Sequence, residues 1–148
     1  MISDLAKLLP HDAPMVLIDR LISYEENKIV VEVTIKDEYP FCGPFIGPWV
    51  AIEFMAQAAG VHAELTKPNP DEEVKIGFLL GTRRFTSNVS EFIPGSTVTV
   101  SVIREFTSDE GVSAATGTVF DSIGNILCEA SLSLFQAKDN TLYLRDEP

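Results

Sequence analysis

The sequence predicts an α+β domain in which an antiparallel sheet of five or six strands is wrapped around one long central helix. Residues 48–66 form a helical segment that is apolar on nearly every side, which is typical of a helix buried inside a fold. Six other segments alternate between apolar and polar residues or carry short apolar runs, as strands with one buried face do. Because the helix follows the second of these segments, the sheet can fold around it.

The elements are predicted in order from their patterns and turn signals. Ser3 is suited to cap a short first helix that ends before Pro10. Strands are predicted at residues 15–24, 28–36, 75–86, 96–106, 112–121 and 126–136. A shaped loop rich in proline and glycine precedes the central helix at 37–48, and a polar linker follows the helix at 67–73. This architecture is the hot-dog fold.

Length and composition predict one domain with a sizeable core. The chain has 148 residues, of which 45% are hydrophobic, and its mean hydropathy is +0.14. This excess of apolar residues predicts further surface that is buried in an oligomer, at least a dimer. We therefore expect a single hot-dog domain over residues 1–148.

The charge balance excludes one large class of partners. The net charge is −11 and the basic residues are scattered, so the sequence has no basic stripe for nucleic acid. Cys42 and Cys128 fit neither a metal-binding spacing nor a disulfide framework, and we expect a cytoplasmic protein without metal or cofactor. An early aspartate and a proline interrupt any signal peptide, and no apolar run has the length of a membrane span.

Four residues of the central helix break its apolar pattern along one face. Glu53, Gln57, Gly60 and Glu64 follow one another at intervals of four, three and four residues. Burial of a lone ionised carboxylate is costly, so Glu53 is expected to be protonated, paired or beside an internal cavity. A cavity would give Glu53 a functional role, whereas a structural ion pair would not.

Three motifs occur in order along the chain: LLPHDAPMVLIDR at 8–20, AIEFMAQA at 51–58 and RRFTSNVSEFIPGSTVTV at 83–100. Together they resemble the motifs of the 3-hydroxyacyl-ACP dehydratases of bacterial fatty acid synthesis, over most of the chain. The short loop and the helix are similar to a divergent branch associated with aryl-polyene pigment clusters. The resemblance implies a hot-dog enzyme that acts on an acyl thioester held by an acyl carrier protein. It also implies a homodimer or higher homo-oligomer, or a heterodimer with a homologous dehydratase.

The chain departs from that family at the residue that removes the Cα proton. The family's loop reads G-H-F-P-G, whereas here Pro44 stands in place of the histidine and has no side-chain nitrogen to accept a proton. His62 lies nine residues after Glu53, about half a turn out of phase, and should face away from it. His11, in the first motif, is predicted as the base, within about 10 Å of a Glu53 carboxylate, and the alternative is a structural histidine that closes the first turn. Tyr39 and Cys42 are further polar groups of the loop, but a phenol or thiol is a poor base near neutral pH.

The remaining roles follow from what dehydration requires. We assign Glu53 as the acid for the departing hydroxyl, because burial in an apolar helix would raise its pKa, and Gln57 as the residue that orients it. Backbone N–H groups at the helix N-terminus would bind the thioester oxygen. The substrate-binding candidates are the N–H groups of Gly47, Trp49 and Val50, and the side chains of Phe45, Trp49, Phe78 and Leu80 as the lining of an apolar acyl slot. The adjacent Arg83 and Arg84 form the candidate carrier-binding pair.

Two classes of function remain open from the sequence. The first is an enzyme, a 3-hydroxyacyl thioester dehydratase, with an acyl thioesterase as the neighbouring alternative because Glu53 could activate water. The second is a non-catalytic hot-dog subunit that stabilises an active homologue, and the absent loop histidine favours it. Loss of water from a 3-hydroxyacyl-ACP in the presence of the purified chain separates these classes.

Overall fold

A computed structural model of the chain describes residues 17–37, 39, 46–66, 77–109 and 111–136, with residues 77–80 and 136 described by their backbone alone. The predicted first helix, the linker at 67–73 and most of the loop at 37–48 lie outside these residues. In the part that the structure describes, no helix combines the length and the apolar character of a membrane span.

The described part contains six strands and one helix in the predicted order. They are β1 (Arg20–Tyr24), β2 (Lys28–Thr34), α1 (Val50–Leu65), β3 (Gly77–Ser87), β4 (Thr97–Thr107), β5 (Val112–Phe120) and β6 (Ile126–Gln136). The predicted α+β hot-dog architecture is confirmed. The largest difference is the start of β1, because Leu17 and Ile18 are buried but precede the first residue pair of the ladder with β2.

The six strands form one antiparallel sheet in the order β1-β2-β4-β5-β6-β3. β4, β5 and β6 pair in succession, whereas β3 follows the helix in sequence and pairs with β6. The chain therefore crosses the sheet by way of α1 between β2 and β3. This crossing leaves β1 and β3 as the two edge strands.

α1 lies against the inner face of the sheet, and none of its residues is exposed. Phe54 and Met55 are fully buried, in a core that also contains Val100 and Leu132. On β5, Gly117 leaves the space that the Met55 thioether occupies, so the helix approaches the sheet closely there. Because nine of its sixteen residues are buried and none is exposed, the helix is confirmed as the central element of the core.

Candidate active site

The first turn of α1 leaves two backbone N–H groups available. Val50 donates its N–H to the carbonyl of Gly47 at 3.2 Å, and the next two N–H groups donate to carbonyls three residues earlier in the same way. Pro48 has no N–H to offer. Among the described residues, the N–H groups of Gly47 and Trp49 have no backbone partner and remain as donors for an incoming oxygen. Of the three predicted donors, Val50 is already engaged.

Trp49 covers this turn from the outside. Its indole ring occupies the space that a side chain on residue 47 would need, so glycine is required there. The ring remains 56% exposed, although it packs over the backbone of Gly47. The turn therefore combines two N–H groups that have no partner in the described residues with an exposed aromatic ring.

Glu53 lies one turn beyond Trp49, in the first turn of α1. Its side chain is half-buried and makes no hydrogen bond or ion pair with any residue in the described part of the chain. The described residues therefore offer no partner for a structural ion pair with Glu53. An acidic group that is partly withdrawn from water, unpaired and close to free N–H donors is suited to exchange a proton with a bound substrate.

Gln57 binds the backbone of Leu17, and its predicted role in orienting Glu53 stays a prediction. Its side chain is 2% exposed, and its oxygen accepts the N–H of Leu17 at 2.8 Å. The four residues from Glu53 to Gln57 rotate the side-chain direction by about 40°, and Gln57 lies in the core whereas Glu53 is half-buried. No local signal in the sequence marks Leu17 as the partner, since the two residues are 40 positions apart.

His62 is a structural histidine, as its helical phase predicts. It is buried and faces the turn between β1 and β2, where its Nε2–H donates to the carbonyl of Glu25 at 2.8 Å. Burial lowers the pKa of His62 below its ordinary value, and the nearby positive charge of Arg104 lowers this pKa further. His11 lies outside the described residues, so its role as the base and its distance from Glu53 stay predictions.

The predicted acyl slot falls mostly outside the described side chains. Phe45 lies outside the described residues, and Phe78 and Leu80 are described by their backbone alone. Phe78 is paired in register with Phe135, and Leu80 lies at an irregularity in the β3–β6 ladder. Of the predicted lining, Trp49 is therefore the one side chain that the structure describes, and its role in an acyl slot stays a prediction.

Arg83 and Arg84 are both exposed on β3, an edge strand. The β3–β6 ladder shifts register between Thr82 and Arg84, and Arg83 lies at this shift. Adjacent residues of a regular strand point to opposite faces, and the irregularity relaxes that alternation. Neither guanidinium has an ion pair with another residue that the structure describes, so both positive charges are available to a partner.

Comparison with known proteins gives similarities to dehydratases. A family model described as ApeP-like, ApeP dehydratase, matches residues 3–145. The 3-hydroxyacyl-[acyl-carrier-protein] dehydratase FabZ of Actinobacillus pleuropneumoniae serotype 5b is 36% identical over 141 residues, covering 88% of this chain and 87% of that protein. A solved structure, the dehydratase heterocomplex ApeI:P from Xenorhabdus doucetiae, is 28% identical with a TM-score of 0.84 and covers 99% of this chain and 100% of that chain.

Thioesterases share the fold at greater distance. The structure of thioesterase superfamily member 2 from Mus musculus is 10% identical with a TM-score of 0.58, covering 78% of this chain and 79% of that chain. A likeness at this level concerns the fold alone, because one fold hosts many activities.

Proposed function

Because this chain belongs to the ApeP-like dehydratase family, we propose that its substrate is a 3-hydroxyacyl thioester held by an acyl carrier protein. The chain is a dehydratase, that is, a hydro-lyase. The relatives at 32% to 36% identity are named as 3-hydroxyacyl-[acyl-carrier-protein] dehydratases, which supports the proposed carrier. We place the reaction in fatty acid or polyene-type biosynthesis, in the cytoplasm.

The observation that carries this proposal is the half-buried Glu53, one helical turn beyond Trp49. In the described part of the chain, neither its carboxyl group nor the N–H groups of Gly47 and Trp49 have a partner. Elimination of water from a 3-hydroxyacyl thioester builds negative charge on the thioester oxygen and releases a hydroxyl group. The N–H groups of Gly47 and Trp49 can donate hydrogen bonds to the thioester oxygen, and these bonds stabilise the negative charge that develops on it. Glu53 can supply the proton that the hydroxyl needs to leave.

Dehydration in the proposed site takes one proton from Cα and delivers one to the departing hydroxyl group. A base removes the proton from Cα, and the electrons of that C–H bond form the double bond between Cα and Cβ. The C–O bond at Cβ breaks, and the departing hydroxyl takes a proton from Glu53 and leaves as water. The thioester oxygen holds the transient charge against the N–H groups of Gly47 and Trp49.

His11 is the proposed base. Pro44 stands where the family's loop histidine would be, and the buried His62 is occupied by the carbonyl of Glu25. Among unperturbed side chains, histidine has the pKa closest to neutral pH, so His11 is the residue of this chain best suited to remove the Cα proton. A base supplied by a second subunit is the alternative route to the same step.

A second candidate function is that of a subunit in a heteromeric dehydratase. The ApeI:P structure that this chain resembles is a dehydratase heterocomplex, which favours this candidate. In the part of the chain that the structure describes, β3 is an edge strand of eleven residues, and an edge of this length can pair with another sheet. We propose that the chain pairs through this edge with a second copy or with a homologous hot-dog dehydratase.

The assay that tests the main proposal follows loss of water by mass spectrometry. Purified chain is incubated with 3-hydroxyacyl groups of several lengths, each on an acyl carrier protein and on coenzyme A. We expect dehydration of the carrier-bound substrate by the wild type and almost none by Glu53→Gln. No loss of water from any substrate, with or without a homologous dehydratase subunit, would contradict the proposal.

Light scattering tests the assembly. One chain has a mass of 16.2 kDa, and we expect at least twice this mass at micromolar concentration for the chain alone, or for a mixture with a homologous dehydratase. A monomeric mass under both conditions would contradict pairing through β3. Activity that appears only in the mixture would favour the heteromeric candidate.

A further inference from the structure

The loop between β3 and β4 is anchored beside the first turn of α1 by one residue. Among residues 88–96, all of which the structure describes, Phe92 is the only buried one, at 4% exposed. Its ring packs against Phe54, with 6.3 Å between the ring centroids, and Phe54 directly follows Glu53 on α1. The backbone N–H of Phe92 donates to the carbonyl of Ile46 at 2.8 Å. Both the ring and the backbone of Phe92 therefore hold the loop against the proposed site.

The carbonyl that Phe92 binds belongs to the same peptide group as one of the proposed donors. The C=O of Ile46 and the N–H of Gly47 lie in one planar unit, and in a trans peptide they point in opposite directions. A hydrogen bond that fixes the direction of this carbonyl therefore also fixes the direction of the Gly47 N–H. It polarises the peptide group as well, which makes the N–H a stronger donor.

The two proposed donors differ in what orients them. The Trp49 N–H shares its peptide group with the carbonyl of Pro48, which accepts a hydrogen bond inside the first turn of α1. The Gly47 N–H shares its peptide group with the carbonyl of Ile46, whose one backbone donor among the described residues is Phe92. Formation of the helix is thus sufficient to orient the Trp49 N–H, whereas the Gly47 N–H depends on the loop between β3 and β4.

We propose that Phe92 is a positioning residue for dehydration, because its backbone N–H directs the N–H of Gly47 at the thioester oxygen of the substrate. The ring of Phe92, buried against Phe54, keeps the loop where this N–H reaches Ile46. This inference rests on the proposed function, in which the Gly47 N–H stabilises the charge on that oxygen. The charge is larger in the transition state than in the bound substrate, so loss of the alignment should lower kcat more than it changes KM.

The sharpest test removes the single N–H of Phe92. Phenyllactic acid in place of Phe92 exchanges this N–H for an ester oxygen and keeps the ring. The same replacement at Phe106, which is 63% exposed at the other end of β4, is the matched control. We expect the ester at residue 92 to lower kcat about tenfold or more with KM changed less than about threefold, and the ester at residue 106 to leave both nearly unchanged. An unchanged kcat at residue 92, or equal losses at both positions, would overturn the proposal.

The ring of Phe92 is tested separately. Phe92→Ala keeps the backbone N–H and removes the ring that holds the loop against Phe54. Ile29→Ala is the matched control, because it also removes a buried apolar side chain, at the end of β2 that lies away from this loop. Both changes should lower the unfolding temperature, but we expect kcat to fall about tenfold or more in Phe92→Ala alone. Equal losses of kcat in the two variants would contradict a positioning role.

The stretching frequency of a bound thioester carbonyl gives a readout that does not depend on turnover. The probe is a saturated acyl pantetheine thioester, isotopically labelled at the carbonyl carbon, which has no hydroxyl group to lose. Hydrogen bonds from Gly47 and Trp49 should lower this frequency in the wild type relative to the free thioester, because they polarise the carbonyl. Both changes at Phe92 should bring it back towards the free value, and both controls should not. One folded Phe92 variant is enough for this test, and a wild-type frequency in that variant would overturn the proposal.

Failure of this inference can be told apart from failure of the proposed function. An active wild type together with an unaffected kcat and an unaffected carbonyl frequency in the Phe92 variants overturns this inference alone. A wild type that dehydrates no carrier-bound substrate, with or without a homologous subunit, removes the proposed function and this inference with it.

Discussion

Glu53 and Gln57 are one helical turn apart, yet their surroundings differ. Gln57 is buried and bonded to the backbone of Leu17, whereas Glu53 is half-buried and has no partner in the described part of the chain. A buried amide that binds backbone contributes to stability. An unpaired carboxyl group at intermediate depth contributes little to stability and is free to act on a substrate.

Glu53→Gln tests this difference directly. The amide has almost the same shape but cannot donate an acidic proton, so we expect dehydration to fall by at least about a hundredfold, the usual scale for a general acid. The free energy of unfolding should change by less than about 0.5 kcal/mol, because no ion pair is lost. Glu129→Gln, an exposed change on β6, is the control and should leave turnover unchanged. Undiminished turnover in Glu53→Gln would rule out the acid role.

Gly47→Ala tests the arrangement at the helix N-terminus. The added methyl group would collide with the Trp49 indole and push it off the turn. Because Trp49 is the single tryptophan of the chain, its fluorescence reports the change, and we expect altered emission with easier quenching by acrylamide. Activity should fall about tenfold or more, since the oxygen-binding N–H groups lose their apolar wall. Gly81→Ala, at a position with open space, is the control, and equal effects of both changes would contradict this assignment.

The secondary structure could be predicted from the sequence because the periodicity of apolar residues reflects which face of an element is buried. The contacts of single polar side chains could not be predicted, because they depend on residues far away in the sequence. Alternation in β2 and β4 follows directly from one buried face, and the apolar surface of α1 follows from its central position. Spacing along a helix places Gln57 near Glu53, but it does not reveal that the chain at Leu17 passes close enough to bind the amide. The irregularity at Arg83 likewise depends on how β3 meets β6, which no local pattern encodes.

The link between α1 and the β1–β2 turn makes stability depend on pH through His62. Burial keeps the pKa of His62 in the folded chain below its ordinary value of 6.5, so below about pH 6.5 the unfolded chain binds a proton that the folded chain does not. The free energy of unfolding should therefore decrease as the pH falls from about 7 to about 5. Urea titrations across this range measure the effect.

The control for this pH dependence is His62→Gln, which keeps a side-chain donor for the carbonyl of Glu25 and cannot titrate. The difference between wild type and His62→Gln isolates the contribution of His62 from that of carboxyl groups, which titrate mostly below this range. Parallel curves for the two proteins would show that His62 carries no such dependence.

At the scale of the domain, the chain is acidic overall and has little positive charge to offer a partner. Its net charge is −11, and Arg83 and Arg84 are adjacent, exposed and without ion pairs in the described residues. No other two basic residues are adjacent in the sequence, and Arg20 is already paired with Glu32 at 2.9 Å. An acidic carrier protein would be repelled by the molecule as a whole, so its docking has to depend on a local positive site.

Charge reversal at both arginines tests that site. Arg83→Glu with Arg84→Glu should weaken binding of an acidic acyl carrier protein by about tenfold or more at low salt. Lys28→Glu with Lys36→Glu is the matched control, because it changes the net charge equally at two other exposed positions. A local docking site predicts a large effect for the arginine pair and a small one for the lysine pair. The difference between them should shrink as salt rises, since the screening length falls to about 10 Å at 0.1 M. Equal weakening by both pairs would mean that the carrier senses the net charge of the molecule and not the arginines.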